Sequence, residues 1–319
     1  MSAPRPGKPL PDSIARRLRL PVIAAPMLRV SGPDLVIAAC KAGVVGAFPT
    51  ANARTVEELD AWLRRIGAAL DASSAPPCPN LIIRQPRFKD DLACLVRHRV
   101  EMVITSVGSP AAAVGPLHDV GCQVFADIAS VRHAEKAIEA GADGLILLTA
   151  GAGGQTGWVN PFAFVRAVRA MFDSPVVLAG GVSDGRSLHA AKVLGCDLAY
   201  MGTRFIATTE SMAAPRYKDM LVASSLDDVL TTRAFTGLDT NMLRPSIIAA
   251  GLDPAKLDEE VSVERARQQY GGGTGNARPK RWSDIWSAGH SVSGVDSVTD
   301  VADLVGRLVG EYEAARAGG

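Results

Sequence analysis

Short, continuous apolar runs recur along the first two thirds of the chain, and helical patterns separate them. The runs are rich in Val, Ile and Leu and do not alternate with polar residues, which is typical of strands buried on both faces of a parallel sheet. Several runs begin about 21 residues after the previous one, enough for a strand, a loop and a crossover helix. The predicted strands are Val22–Ala25, Val44–Phe48, Leu81–Ile83, Met102–Thr105, Gln123–Asp127, Gly144–Leu148, Val176–Ala179 and Leu198–Met201.

The segments between the runs carry signals that start helices. Thr55 and Glu58 form a capping box, and Asn160 before Pro161 places an N-cap ahead of proline at the first helical position. Eight strand candidates alternating with helices favour an α/β fold, a (β/α)8 TIM barrel. The alternative is an open doubly wound sheet. It is disfavoured because Pro-Met-Leu-Arg at residues 26–29 follows the first strand, where a dinucleotide domain has G-x-G-x-x-G.

The pattern changes after the eighth run and becomes irregular and predominantly helical between Met212 and Tyr270. Glycines at 271–273 and 275 then predict a flexible loop rather than a phosphate loop, because no Gly-Lys-Ser/Thr follows. Apolar positions from Val301 to Val309 predict a final helix packed on the barrel wall. We therefore expect an N-terminal extension at 1–19, a barrel at 20–211 and 280–319, and a lid segment at 212–279.

Composition excludes several classes of protein. The chain of 319 residues is 47% hydrophobic, and 34 Lys and Arg against 33 Asp and Glu leave a net charge of +1, without the cationic excess of a nucleic-acid or membrane-surface protein. No run approaches the roughly 18 apolar residues of a membrane span. Five scattered cysteines favour neither a disulfide framework nor a zinc site, so we expect no metal. Without an apolar signal region after Met1–Pro11, a cytoplasmic location is expected.

Three glycine-rich loops follow predicted strands six, seven and eight, at the end where a barrel builds its site. Glycine lacks Cβ, so the backbone can approach a phosphate or a planar ring closely. We expect the amides of Gly180, Gly181, Gly202 and Thr203 to converge on one anion, as at a helix N-terminus. Each loop alone is compatible with a tight turn, but three together favour phosphate binding.

These loops carry a resemblance to a known family. The sequence resembles the nitronate monooxygenases, formerly called 2-nitropropane dioxygenases, and is similar to their relatives, the flavin-type enoyl-acyl-carrier-protein reductases. The likeness runs from about Leu20 to Arg307 and implies an FMN-dependent TIM barrel. It rests on Ala24-Ala-Pro-Met27, Asn80-Leu81, Gly153-Gly154 with Gly157, Ala179-Gly-Gly-Val182, Met201-Gly-Thr-Arg-Phe205 and Trp286-Ser-Ala-Gly289.

The resemblance also implies roles for individual residues. Ala25, Pro26 and Met27 would lie along the isoalloxazine ring, and Asn80 would hydrogen-bond near the flavin. Further cofactor-binding residues implied in this way are Ala150, Gly153, Gly154, Gly180, Gly181, Met201, Gly202 and Thr203.

One position departs from the family. The nitronate monooxygenases carry histidine in a Gly-Gly-His loop, and this chain has Gln155 there. Glutamine donates and accepts hydrogen bonds but takes no proton near neutral pH. The remaining acid or base candidates are His290, in the late loop, and Asp127, at the end of strand five.

Other polar residues have weaker assignments. Arg204 is expected to pair with phosphate or to form a salt bridge, and Tyr217 and Lys218 are expected to reach over the substrate. The other histidines are expected to lie on or near helices; they are His98, His118, His133 and His189.

The expected function is therefore FMN-dependent oxidation of alkyl nitronates with O2. Gln155 favours an alternative, reduction or dehydrogenation of an enoyl or acyl thioester, of CoA or carrier protein, with NAD(P)H. A second alternative is a phosphate-compound barrel without flavin, such as an isomerase or aldolase, and a third is a binding or scaffold protein. Barrels of this kind can form homodimers, although no pattern in the sequence indicates an interface.

Overall fold

A computed structural model describes residues 9–271 and 279–318, and this part of the chain contains a closed parallel barrel of eight strands. The barrel order is β1-β2-β3-β4-β5-β6-β8-β9, and β9 pairs with β1 to close it. The predicted (β/α)8 fold is therefore confirmed. The strands are β1 (Val22–Ala24), β2 (Val45–Pro49), β3 (Pro77–Ile82), β4 (Met102–Ser106), β5 (Gln123–Ile128), β6 (Gly144–Leu148), β7 (Gly154–Gln155), β8 (Val176–Ala179), β9 (Leu198–Met201), β10 (Val229–Thr232) and β11 (Thr240–Leu243).

Helices alternate with the barrel strands, and the predicted caps are in place. Thr55 Oγ1 accepts from the Glu58 amide at 3.2 Å, and Asn160 Oδ1 accepts from the Phe162 amide at 3.0 Å. The helices are α1 (Asp12–Ala15), α2 (Pro33–Lys41), α3 (Val56–Ala69), α4 (Phe88–Arg97), α5 (Ala111–His118), α6 (Val131–Glu139), α7 (Pro161–Arg169), α8 (Gly185–Leu194), α9 (Thr203–Ile206), α10 (Pro215–Val222), α11 (Arg244–Ala249), α12 (Val263–Tyr270) and α13 (Val301–Ala317). None of them, within the described residues, is long and apolar enough to cross a membrane.

The barrel interior is a packed core. Phe125 is fully buried there, and a Cβ added to Gly144 on the neighbouring strand would lie 2.3 Å from its ring, so glycine makes the room for phenylalanine. Leu10 and Ile14 pack against the same interior cluster. The described part of the N-terminal extension therefore packs on the barrel, and residues 1–8 lie outside the described residues.

The segment after the eighth barrel strand differs from the expectation of a predominantly helical pattern. Besides α10, α11 and α12 it holds the antiparallel pair β10 and β11, and β11 also pairs with β7. Thr240 lies opposite Gln155 in this three-stranded sheet. Each of these strands has at most four residues, which is too short for a periodic pattern to emerge. The predicted glycine loop falls largely on residues 272–278, outside the described residues.

Candidate active site

A cavity of about 360 Å3 opens at the carboxyl ends of the barrel strands, within the range of roughly 300–1,000 Å3 that is usual for ligand sites. Its wall contains most of the residues singled out in the sequence, and these come from six different strand ends or loops. They are Ala25, Pro26, Met27, Asn80, Asp127, Gly153, Gly154, Gln155, Gly180, Gly181, Gly202 and Thr203. The topology therefore brings the predicted loops together.

Three predicted site residues do not line this cavity. Ala150 is exposed, and Met201 packs in the apolar layer between barrel and helices, because its neighbour Tyr200 takes the inward position on β9. His290 is also exposed. Its amide donates to the carbonyl of Gly151 at 2.9 Å, and its ring lies against that glycine rather than in the cavity.

The glycine loops after β8 and β9 form a cradle of free amides. Gly180 has φ +119°, and a Cβ there would lie 2.6 Å from Thr149 Oγ1. Gly181 has φ +78° and faces open space, since no described atom lies within 4 Å of the position of a Cβ. The backbone N–H groups of Gly181, Gly202 and Thr203 have no acceptor among the described residues. Such a cluster of unsatisfied donors fits a phosphate group.

Polar groups stand on the other side of the barrel mouth, on β3, β4 and β5. Asn80 Nδ2 donates to Ser106 Oγ at 3.1 Å, and both residues line the cavity. Asp127 Oδ1 is buried without a hydrogen-bond partner in the described chain, and burial raises the pKa of Asp127 to about 7. Among the described lining residues Asp127 supplies the only carboxylate. A buried carboxyl without a partner is costly, so this group is suited to meet a ligand.

The loop that contains Gln155 is held from both sides. The amide of Gly154 donates to Ser287 Oγ at 2.5 Å, and Asn241 Nδ2 on β11 donates to the carbonyl of Ala152 at 2.7 Å. The amide of Gly289 in turn donates to Thr203 Oγ1 at 3.0 Å. The late loop at 286–290 thus ties the glycine loop after β6 to the loop after β9.

The profile of the nitronate monooxygenase family matches residues 78–311. This chain belongs to the nitronate monooxygenase family. The family consists of flavin-dependent oxidoreductases, and the cradle of amides facing an unpartnered carboxyl fits such a cofactor. The resemblance stated from the sequence is therefore confirmed.

Curated relatives in this family carry two kinds of name. A (3aS,4S,5R,7aS)-5-hydroxy-7a-methyl-1-oxo-octahydro-1H-indene-4-carboxyl-CoA dehydrogenase of Rhodococcus jostii is 28% identical over 275 residues, which is 83% of this chain and 73% of the relative. A nitronate monooxygenase of Paraburkholderia phytofirmans is 28% identical over 278 residues, covering 73% of this chain and 76% of the relative.

Solved structures give the same picture of the fold. FabK from Thermotoga maritima superposes with a TM-score of 0.82 at 25% identity, covering 96% of both chains. A nitroalkane oxidase from Streptomyces ansochromogenes superposes with a TM-score of 0.78 at 24% identity, covering 96% of this chain and 99% of the other.

In this member of the nitronate monooxygenase family one ring of a stacked aromatic pair lines the cavity. Tyr217 lines the cavity and stacks on Trp286, with ring centroids 5.0 Å apart and planes 9° from parallel. Its hydroxyl donates to the carbonyl of Ser287 in the late loop, and burial raises the pKa of Tyr217. Lys218 points elsewhere, since its Nζ donates to the carbonyl of Ser211 at 3.0 Å. Only the tyrosine of this predicted pair reaches the cavity.

The predicted salt bridge of Arg204 is not seen among the described residues, and its pairing with phosphate stays a prediction. Arg204 is buried, does not line the cavity and forms no ion pair with any described carboxylate. The four remaining histidines behave as expected, since they lie in helices α5, α6 and α8 or directly after α4.

Sequence reasoning missed two neighbouring residues shortly after the lid segment, Arg281 and Trp282, which line the cavity. Trp282 has φ +68°, a conformation that is uncommon outside glycine. The only signal in the sequence was the position of this basic and aromatic pair directly after the glycine-rich stretch.

Replacing Tyr217 with phenylalanine tests how the wall is fixed. The stacked ring is retained, but the carbonyl of Ser287 loses its donor, so we expect the free energy of unfolding to fall by about 1–3 kcal/mol. Urea denaturation with and without FMN measures this. Because the late loop loses one anchor, FMN affinity should fall as well, and an unchanged stability would contradict the assigned hydrogen bond.

Proposed function

We propose that this protein is an FMN-dependent oxidoreductase that acts on an acyl thioester, with Asp127 as the group that transfers the proton. The observation that carries the proposal is that Gln155, which cannot titrate, lines the same cavity as the unpartnered carboxyl of Asp127. The Rhodococcus relative, a carboxyl-CoA dehydrogenase, supports the thioester as the substrate class.

The proposed flavin is FMN. The free amides of Gly181, Gly202 and Thr203 would hold its phosphate, and Pro26 and Met27 would lie along its ring. The ring would extend across the barrel mouth from β8 and β9 towards β3 and β5, where polar side chains stand. When bound, FMN supplies exchange of a hydride equivalent with the substrate.

Asp127 provides the proton that this reaction needs. Reduction of an enoyl thioester adds a hydride at the β-carbon and a proton at the α-carbon. A carboxyl with a pKa of about 7 is substantially protonated at neutral pH and can donate that proton, and its carboxylate can accept it in the reverse direction. Gln155 can donate its amide N–H to the thioester oxygen and stabilise negative charge there.

Nitronate oxidation is the second candidate, because the family profile and the Paraburkholderia relative carry that name. A nitronate is already ionised and needs no base. It is, however, an anion, and the carboxylate form of Asp127 in the same cavity disfavours it above about pH 7. We therefore favour an acyl thioester over a nitronate as the substrate.

The test uses protein reconstituted with FMN and followed by its visible absorbance near about 450 nm. Under anaerobic conditions NADH or NADPH should bleach the flavin, and crotonyl-N-acetylcysteamine, a thioester without phosphate, should restore it. Flavin that responds only to propyl-2-nitronate with O2 would overturn the thioester proposal in favour of the second candidate. Failure to bind FMN would overturn both.

A matched pair of variants tests the role of residue 155. Gln155→His places an imidazole in the loop, and free imidazole has a pKa of about 6.5. Because its protonated form can pair with the anionic nitronate, we expect nitronate turnover to rise by about 10- to 100-fold. Gln155→Asn keeps an amide and should show no gain. Steady-state O2 consumption with propyl-2-nitronate measures both. Equal turnover in the wild type and the histidine variant would show that this position does not limit nitronate chemistry.

A further inference from the structure

Arg281 is a half-buried cation in the cavity wall with no acidic partner. Its Nη1 donates to the carbonyl of Phe235 at 2.8 Å, and no described carboxylate lies within 4.0 Å of its guanidinium. The side chains outside the described residues include no Asp or Glu, so they cannot supply one either. A cation that is partly withdrawn from solvent and lacks a counter-ion is suited to bind an anionic ligand in the cavity.

Further positive charge lies beside this arginine. Arg267 on α12 is close enough that its charge, after burial, lowers the pKa of Arg281, and Lys280 is the preceding residue. Neither Arg267 nor Lys280 forms an ion pair with a described carboxylate. Asp284 is nearby, but it accepts from the backbone amide of Lys280 rather than from a cationic side chain. These three cations form a positive edge, in which Arg281 lines the cavity and Arg267 and Lys280 are exposed beside it.

This positive edge is separate from the glycine cradle. Arg281 shares its part of the wall with Thr236 and Val263, which belong to the lid segment, whereas the cradle lies on loops of the barrel. Arg281 is only partly buried in this wall, and a guanidinium offers two parallel N–H donors to a phosphate.

We infer that Arg281, assisted by Arg267 and Lys280, binds the phosphate groups of a nucleotide-bearing ligand at the mouth of the cavity. This inference rests on the proposed function, and two ligands of that reaction share the chemistry: a CoA thioester and NAD(P)H. An acyl group attached to CoA would reach the flavin site past the aromatic pair while its phosphates stay at the positive edge.

The experiment compares ligands with and without the nucleotide phosphates. Isothermal titration of FMN-loaded protein measures Kd for CoA and for pantetheine, which lacks the nucleotide, and for NADH and NADPH. We expect at least one nucleotide ligand to bind about 10-fold more weakly to Arg281→Gln than to the wild type, with pantetheine unchanged. Arg281→Lys keeps the charge but loses the two parallel N–H donors of the guanidinium. Its Kd for that ligand should lie between those of the wild type and Arg281→Gln.

Arg132→Gln, on the exposed face of α6, is the control for a general loss of charge and should change no Kd. A selective loss for CoA identifies the thioester as the phosphate source, and a selective loss for NAD(P)H identifies the electron donor. An unchanged Kd for every nucleotide in a folded, FMN-loaded Arg281→Gln protein would overturn the inference. Binding needs no turnover, so phosphate-dependent binding without thioester reduction would count against the proposed function alone.

Discussion

Asp127→Asn is expected to reduce kcat for thioester reduction by about 100- to 10,000-fold, the usual contribution of a positioned proton donor. Asparagine has nearly the same shape but no proton to transfer, so FMN should remain bound. In the wild type kcat should fall as pH rises through about 7, because burial raises the pKa of Asp127 to about 7 and the protonated form is the donor. The residual rate of the variant should lack this dependence. Stopped-flow reoxidation across pH measures both.

Stability gives an independent readout on the same variant. The folded state holds the Asp127 proton up to about pH 7, whereas the unfolded chain releases it near 3.8, so wild-type stability should fall as pH rises between these values. Asp127→Asn should therefore gain stability over the wild type at about pH 8 and little at about pH 4. Asp173→Asn, at an exposed aspartate, is the control and should change neither property. A pH-independent difference would contradict the raised pKa.

Gly180→Ala is expected to weaken FMN binding strongly. The added methyl group would lie 2.6 Å from Thr149 Oγ1 and 2.9 Å from the amide nitrogen of Ala152, and φ +119° disfavours any side chain. Strain of this kind costs on the order of 1–3 kcal/mol, and the displaced loop should raise the Kd for FMN by about 100-fold. Flavin fluorescence titration and urea denaturation measure the two effects.

Gly67→Ala is the matched control, because glycine 67 lies inside α3 with open space around it. There alanine should leave the Kd for FMN unchanged and stabilise the helix by about 0.5–1 kcal/mol. If Gly180→Ala bound FMN as tightly as Gly67→Ala, the cradle after β8 would not be the phosphate site.

The barrel could be predicted because its strands are buried on both faces. Runs such as Gly144–Leu148 and Val176–Ala179 match β6 and β8 residue for residue. A short continuous apolar run is typical of a strand that is buried on both faces. The start of β3 was missed by four residues, because Pro77 and Pro79 are typical of turns. Here the prolines are tolerated inside the barrel sheet.

The site could be predicted only as far as loops define it. A glycine loop after a barrel strand indicates a ligand site through its backbone amides, which do not depend on side-chain orientation. Gly181 and Gly202 were therefore predicted for the site from sequence, and both line the cavity. A side chain on a strand depends on register, and one residue separates Tyr200 in the cavity from Met201 in the outer layer. The place of Arg281 in the cavity wall depends on its contact with Phe235, a residue far away in the sequence, and no local sequence pattern predicts that contact.

The ties made by the late loop also set the order in which this protein can mature during its synthesis. Gly154 and Ser287 are 133 residues apart, and Thr203 and Gly289 are 86 apart. A ribosome therefore completes all eight barrel strands well before the chain that secures the loop after β6 exists. A nascent barrel at that stage has its strands but an unanchored cofactor loop, so tight cofactor capture has to wait until residues 286–290 have been synthesised.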